Sequence, residues 1–284
     1  MNYRFNEIRK ETAYAKINLW LEVLNKRCDG YHNIRSVMQS VSFCDTVEMR
    51  LTDSEITMTS SDPSLSCDDR NLCIKAAKAF LKATKINIGL QIHLDKNIFV
   101  QAGLGGGSSD AAAILRGINY LCGSPLSTAE LCEIGKKLGA DIPFCVVGGA
   151  AIAQGIGEIL TDCPKLPDCK IVICEGAGKV STPEAYRIID EIPSSCINKF
   201  SDFIFALNGG DLSKICSFLY NRFEDTLPES GDVKQMLLNG GAIGALMTGS
   251  GSAVYGIFDS EEQANETAFL LRERGLNCVL CEPI

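Results

Sequence analysis

Histidine is scarce in this chain, with two in 284 residues, and tryptophan occurs once. So few imidazoles leave little to build a histidine-based metal centre. The close cysteine pair, Cys278 and Cys281 in NCVLCEPI, lacks the second pair or neighbouring histidines that structural zinc needs. A buried terminal strand with small apolar thiols is the plainer reading, and a zinc site the lesser one. No export signal accompanies the 14 cysteines, so reduced core thiols fit better than a disulfide scaffold. Excess basic charge is missing as well. A net charge of -8 argues against a broad nucleic-acid or acidic-lipid surface, though not against a local spot for one phosphate. Long apolar runs are also absent. Ile142–Ala153 (IPFCVVGGAAIA) is too short to span a bilayer and holds a proline and two glycines, and MNYRFNEIRKET has no signal-peptide core. The expectation is a cytoplasmic protein with no membrane or nucleic-acid partner, without internal repeats, acting as a monomer or weak homodimer.

The apolar pattern predicts alternating elements. In Ala15–Val23 (AKINLWLEV), Ile17, Leu19, Leu21 and Val23 share one strand face, and Lys16, Asn18, Trp20 and Glu22 the other. Asp29-Gly30 marks a tight turn, and Val37–Met49 reads as further strand. Asn71–Ala83 has helical spacing. Ile88–Leu94 alternates with His93 outward, where it is assigned no role. Ala111, Ile114, Leu115, Ile118 and Leu121 form one helical stripe, stopped by Gly123 and Pro125. Ser127-Thr128-Ala129-Glu130 has capping-box spacing. After Asp141 a strand is expected through to Ala153. Glycine and proline cluster near Gly155–Pro164, which suggests domains at 1–157 and 158–284, with Pro193–Ile197 a flexible insertion. Beyond it come a strand at Ile171–Gly176, helices near Asp211–Arg222 and Asp232–Asn239, and strands at Ala242–Met247 and Ala253–Phe258. A helix at Glu261–Arg274 and a strand at Asn277–Cys281 follow. That is the order of a split βαβ, ferredoxin-like unit.

Ala102–Ala113 (AGLGGGSSDAAA) sets four glycines and two serines directly before an alanine-rich helix. Glycines at Gly103, Gly105, Gly106 and Gly107 allow successive N–H groups to turn inward as an anion nest. The helix starting near Ser108 points its positive end at the same spot. The Ser108 and Ser109 hydroxyls can bind phosphate oxygens or a Mg²⁺ ion held by them. The loop lacks the P-loop lysine, reads G-x-G-x-x-S rather than G-x-G-x-x-G, and has no accompanying H-R-D or D-F-G. A turn that only lets a helix pack near a strand is the competing reading.

VQAGLGGGSSDAAA resembles the central motif of the GHMP kinases, the superfamily of galactokinase, homoserine kinase and mevalonate kinase. Ala15–Gln39 resembles their N-terminal motif and LMTGSGSAVYGIF (Leu246–Phe258) their C-terminal glycine motif. K-I-N-L followed by D-G-Y-H is similar to the branch whose acceptor is a cytidine diphosphate-linked methylerythritol, in the non-mevalonate isoprenoid pathway. The chain departs from the family at Phe99, where proline is usual, and at Thr248, where serine is common. The resemblance implies an α+β, two-domain fold: an N-terminal ribosomal-protein-S5-like domain, a C-terminal ferredoxin-like domain, and an active site in the cleft between them. It also implies an ATP-dependent kinase that uses Mg²⁺, with no metal-ligating side chains assigned. Homoserine or mevalonate kinase chemistry is the alternative. A nucleotide-fold ligand sensor should lack Lys16 or Asp141, and a dinucleotide oxidoreductase would bind NAD instead.

On residue type alone, Asp141 is a solvated loop carboxylate and Lys16 a solvated strand lysine. The resemblance makes Asp141 the base and Lys16 the charge beside it. It places Gly103, Leu104, Gly105, Gly106, Gly107, Ser108 and Ser109 on the ATP phosphates, with Lys96 and Asn71 near the nucleoside. It assigns the acceptor to Asn18, Tyr31, His32 and Tyr186, with Gly249, Ser250 and Gly251 on a phosphate.

Overall fold

A computed structural model describes residues 3–53, 55–176, 178, 180–192, 199–227 and 230–284. The expected insertion Pro193–Ile197 lies outside the described residues. In chain order the elements are β1 (Arg9–Lys26), β2 (His32–Thr52), β3 (Ile56–Ser60), α1 (Leu72–Thr84), β4 (Gly89–Asp95), α2 (Gly106–Leu121), α3 (Thr128–Lys136) and α4 (Ile142–Val147). Next come β5 (Ala150–Gly155), β6 (Ile159–Asp162), β7 (Lys170–Cys174), α5 (Thr182–Glu191), α6 (Phe200–Gly209), α7 (Leu212–Ser217) and β8 (Tyr220–Asn221). A 3₁₀ turn over Arg222–Thr226 leads to α8 (Ser230–Asn239), β9 (Gly244–Met247), β10 (Val254–Phe258), α9 (Glu261–Glu273) and β11 (Cys278–Cys281). They form two compact units. The first holds Met1–Ala15, Cys44–Val100 and Gly105–Gly148, and the second Lys16–Phe43, Gln101–Leu104 and Gly149–Ile284. Among the described residues no helix is long and apolar enough to cross a membrane.

In the first unit, the later part of β2 pairs antiparallel with β4, and β3 joins β4 in parallel. Leu90, Ile92 and Leu94 face inward as their alternation predicts. His93 stays outside, its Nδ1 within 2.9 Å of the Thr59 hydroxyl. The stripe Ala111, Ile114, Leu115, Ile118 and Leu121 buries α2 completely on one side. The capping box at Ser127 is formed in full, with Glu130 reaching back to the Ser127 amide at 2.8 Å. The strand expected from Ile142 to Ala153 is corrected: Ile142–Val147 is helical and strand begins only at Ala150. Pro143 suits a helix's first turn, and Gly148, at φ +75°, ends it. A helix this short, buried over five successive residues from Ile142 to Val146, shows no amphipathic period and so reads as a strand.

In the second unit, β5 pairs with the early part of β2 and with β6, and β8 pairs in parallel with β1. The β1 alternation is present, but its second face is not solvated: Lys16, Asn18 and Trp20 are all buried. The Trp20 ring lies 5.1 Å from Tyr220 and 5.7 Å from each of Phe200 and Phe203, so α6 and β8 cover that face. The helix expected over Asp211–Arg222 ends at Ser217, and Tyr220–Asn221 is strand. There the Asn221 side chain caps the Phe223 amide at 3.0 Å and starts the 3₁₀ turn. The second sheet runs β11-β7-β10-β9 with all neighbours antiparallel, the split βαβ arrangement that the element order predicts. Cys278 and Cys281 are buried thiols on β11, with Cys278 directly opposite Cys174 on β7.

Ser127→Ala removes the reciprocal cap of α3 and nothing else in the fold. It should cost about 0.5–2 kcal/mol in denaturant unfolding with the m-value unchanged.

Candidate active site

The glycine loop owes its shape to two left-handed glycines, Gly103 at φ +80° and Gly105 at φ +69°. Gly105 is the N-cap of α2 and brings no side chain to bond the first amides. The opening N–H groups of α2 have no acceptor within the helix, as at any helix start, and point out along its axis. The chain therefore begins α2 with bare amides and the positive end of the helix dipole. Ser109 is turned the other way. Its hydroxyl donates to the Tyr14 carbonyl at 2.7 Å and its amide bonds the Gly105 carbonyl at 2.9 Å. Ser108 is only partly buried.

The two side chains expected near the nucleoside are both engaged within the first unit. Asn71 is the N-cap of α1: Oδ1 accepts from the Cys73 amide at 2.9 Å and Nδ2 donates to the Ser66 carbonyl at 2.7 Å. Lys96 is buried beneath the start of α2, bonded to Asp45 and, at 2.8 Å, to Asp110. A Cβ on Gly106 would stand 2.9 Å from the Lys96 ammonium, so only glycine lets the helix start this close. Asp45 also accepts from the amides of Asn97 and Ile98 at 2.6 and 2.8 Å, fixing the segment that leads to the loop. Burial acts to lower the Lys96 pKa, but the two carboxylates outweigh it and leave it raised. Burial pushes Asp110 up to about 8; Lys96 draws it back only partly, and Asp45 adds to the rise. Among the described residues, Asp110 Oδ1 has no hydrogen-bond partner.

The second unit joins pieces of all three sequence motifs. Asn18 Oδ1 accepts from Lys16 Nζ at 2.7 Å, from the Gly249 amide at 3.0 Å and from the Thr248 hydroxyl at 3.2 Å. The Asn18 amide donates in turn to Thr248 Oγ1 at 3.1 Å. Gly103 presses on the same turn: a Cβ there would meet the Thr248 carbonyl oxygen at 2.1 Å. Asn221, which the sequence reading missed, donates to the carbonyls of Met247 and Gly249 at 2.7 and 2.8 Å. Ser250 Oγ lies 2.9 Å from the Thr182 hydroxyl, and the Gly251 amide bonds the Thr248 carbonyl at 3.0 Å.

Further along the second unit, Tyr31 is well exposed beside the turn after β1, and its amide donates to Asp29 at 3.1 Å. His32 is buried and stacks on Tyr186 of α5, centroids 4.8 Å apart with 13° between the rings. Phe223 meets Tyr186 edge-on at 5.0 Å. Asp190, one helical turn after Tyr186, lies 2.7 Å from His32 Nε2. Asp141, in the first unit, is half-buried just ahead of α4, and its carbonyl accepts from the Cys145 amide at 3.1 Å.

Comparison with known proteins places the chain in a family. The GHMP kinases N terminal domain matches residues 71–149 and the GHMP kinases C terminal domain residues 202–275. A 4-diphosphocytidyl-2-C-methyl-D-erythritol kinase from Caldicellulosiruptor saccharolyticus is 40% identical over 92% of this chain and 91% of its own length. The chain belongs to the 4-diphosphocytidyl-2-C-methyl-D-erythritol kinase family of the GHMP kinases. A second member of that family, from Desulfitobacterium hafniense, is 41% identical over 92% of this chain and 91% of its own. A crystal structure of 4-(cytidine 5'-diphospho)-2C-methyl-D-erythritol kinase superposes with a TM-score of 0.82 at 30% identity, covering 97% of this chain and 99% of that one. A mevalonate kinase from L. major, at 16% identity and a TM-score of 0.75 over 97% of this chain and 96% of its own, shares the fold alone. The α+β two-domain kinase fold expected from the sequence is the fold of this family.

Two outcomes follow from the site. Gly103→Ala places a methyl group against the Thr248 carbonyl at a positive φ. It should cost about 1–3 kcal/mol in chemical unfolding and lower kcat/KM at least about tenfold. The second concerns pH. Asp110 titrates at about 8 in the folded chain against an ordinary 3.8, so between those values the folded state holds more protons than the unfolded one. This group's contribution to stability therefore falls as pH rises through that window. Asp110→Asn removes that slope, so variant Tm minus wild-type Tm should grow more positive from about pH 5 to about pH 8 in a buffer-matched thermal scan.

Proposed function

We propose that the chain transfers the γ-phosphoryl group of ATP to the 2-hydroxyl of 4-diphosphocytidyl-2-C-methyl-D-erythritol. The bond from Pγ to the bridging oxygen of ADP breaks, a bond from Pγ to the 2-oxygen forms, and the hydroxyl proton leaves. Asp141 is the group to receive or orient that proton, and Lys16 supplies positive charge to the transferring group. The single observation that carries the reading is the Asn18 hub. One carboxamide holds the Lys16 ammonium and the Thr248–Gly249 turn together, so the lysine is buried and oriented beside the glycine turn. That is a site prepared for negative charge, not a solvated strand lysine.

The bare amides at the start of α2 suit the triphosphate, with the Ser108 hydroxyl beside them. Mg²⁺ would neutralise charge on the phosphate oxygens. Among the described residues no group of three or more His, Cys, Asp or Glu side chains is placed to hold a metal. Gly107 supports this role for the loop. A Cβ there would find only an ordinary contact, 3.7 Å from Leu72, and its φ is not positive. Among the described residues nothing demands glycine at that position; close approach of a ligand would. Tyr31, His32 and Tyr186 form the aromatic group for the cytosine, and Gly249, Ser250 and Gly251 the backbone for a phosphate of the acceptor.

Coupled ADP release should require the cytidyl acceptor and stay at background with homoserine or mevalonate. Lys16→Ala and Asp141→Asn should each lower kcat by roughly 10²–10⁴-fold, with Tm near that of the wild type. Wild-type turnover in both variants removes the assignment.

A further inference from the structure

His32 has a partner that no motif reveals. Asp190 sits on α5 one turn beyond Tyr186, so a single helix supplies both a ring for the face of the imidazole and a carboxylate for its edge. Asp190 Oδ1 lies 2.7 Å from His32 Nε2, and Oδ2 is held by Lys26 Nζ at 2.5 Å. Lys26 and then His32 hold the Asp190 carboxyl below the usual carboxylate range. An ionised carboxylate only accepts hydrogen bonds, so Nε2 is the nitrogen that bears hydrogen. In the neutral ring Nδ1 is then a bare acceptor. Among the described residues no hydrogen bond to Nδ1 is formed. The other groups around the ring, Tyr186 on its face and Phe223 behind Tyr186, carry no charge.

We propose that Asp190 is a positioning residue for base selection: by taking the Nε2 hydrogen bond it leaves Nδ1 of the neutral ring able only to accept. A pyrimidine with an amino group at position 4 can donate to that nitrogen, whereas one with a carbonyl there would set two lone pairs against each other. Cytosine is thereby chosen over uracil. This rests on the reading above, in which His32 meets the base of the acceptor.

Asp190→Asn separates this role from a structural one. A carboxamide can accept from an Nε2 hydrogen or donate to a bare Nε2, so it permits both ring forms. The expected result is a fall of at least about tenfold in the ratio of kcat/KM for the cytidyl acceptor over its uridyl analogue, carried by KM, with kcat held within about threefold. Lys26→Met removes the ion pair and leaves the carboxylate, so it should keep the wild-type ratio. Nitrogen-15 NMR of the imidazoles gives a reading without any substrate. The chain has two histidines, and His93→Gln assigns the signals. Wild-type His32 should show hydrogen on Nε2, and Asp190→Asn a mixture. An unchanged ratio in Asp190→Asn, or hydrogen on Nδ1 in the wild type, overturns the proposal. A wild-type enzyme with no turnover of the cytidyl acceptor overturns the assigned function and the base-reading role together. The wild-type rate tells that failure from the others.

Discussion

The side chain of Asn18 is the interaction on which the second unit's chemistry depends. It is almost wholly buried, and both ends of its carboxamide are satisfied. Nδ2 donates to Ser36 Oγ at 2.8 Å, and that hydroxyl has already spent its proton on the Trp20 carbonyl at 2.6 Å. A carboxylate at position 18 would therefore turn lone pairs on a hydroxyl with no proton left to give. Only an amide can donate toward Ser36 while accepting from Lys16, Thr248 and Gly249 on its other side. The polar network is complete as it stands, which is the condition under which buried polar groups rigidify a site instead of weakening it. Tyr255 extends it, its hydroxyl donating to the Asn18 carbonyl at 2.9 Å.

Backbone crowding is the second constraint. Gly103 and Gly249 lie so close that a Cβ on Gly249 would stand 2.8 Å from the Gly103 carbonyl oxygen. The Ala253 amide bonds the Ala102 carbonyl at 3.0 Å alongside. Two glycine stretches roughly 145 residues apart in sequence thus explain each other's composition at these positions. Each could be mistaken, alone, for a flexible turn.

The sequence carried what is local. Strict alternation in β1, the stripe of α2, the capping box of α3 and the element order of the second sheet each lie within a short window, where the period is set by the backbone itself. What failed was short or uniformly buried. Ile142–Val147 has no polar face to betray its helical period, and Tyr220–Asn221 is strand only because β1 offers it hydrogen bonds. The burial of Trp20 was illegible for a related reason, since covering it took α6, which has no distinctive motif. The candidate site divides the same way. Motif residues such as Lys16, Asn18, His32 and Gly103 could be named because each sits in a recognisable run. Asp190, Asp45 and Asn221 could not. Asp190 lies 158 positions from His32, and Asp45 lies 51 from Lys96. A single acidic residue on a helix or strand gives no sign of the group it will meet. Lys96 and Asn71 show the converse, since placement in a recognised order does not reveal that a side chain is already taken by a carboxylate or a helix end.

The Lys96 cluster also bears on how an anion site can stand over buried carboxylates. With both aspartates ionised, one ammonium leaves the cluster one unit negative, directly beneath the helix start proposed to hold a triphosphate. Coulomb repulsion there, in a poorly screened interior, would oppose the nucleotide. Burial eases the conflict by raising Asp110 until it holds its proton near neutral pH. That takes one negative charge from beneath the helix start, and the dipole of α2 is left to act on whatever meets its amides. The same ammonium that the family resemblance sets near the nucleoside is bonded from below to Asp45 and Asp110, and Asp45 in turn fixes the segment that leads to the loop.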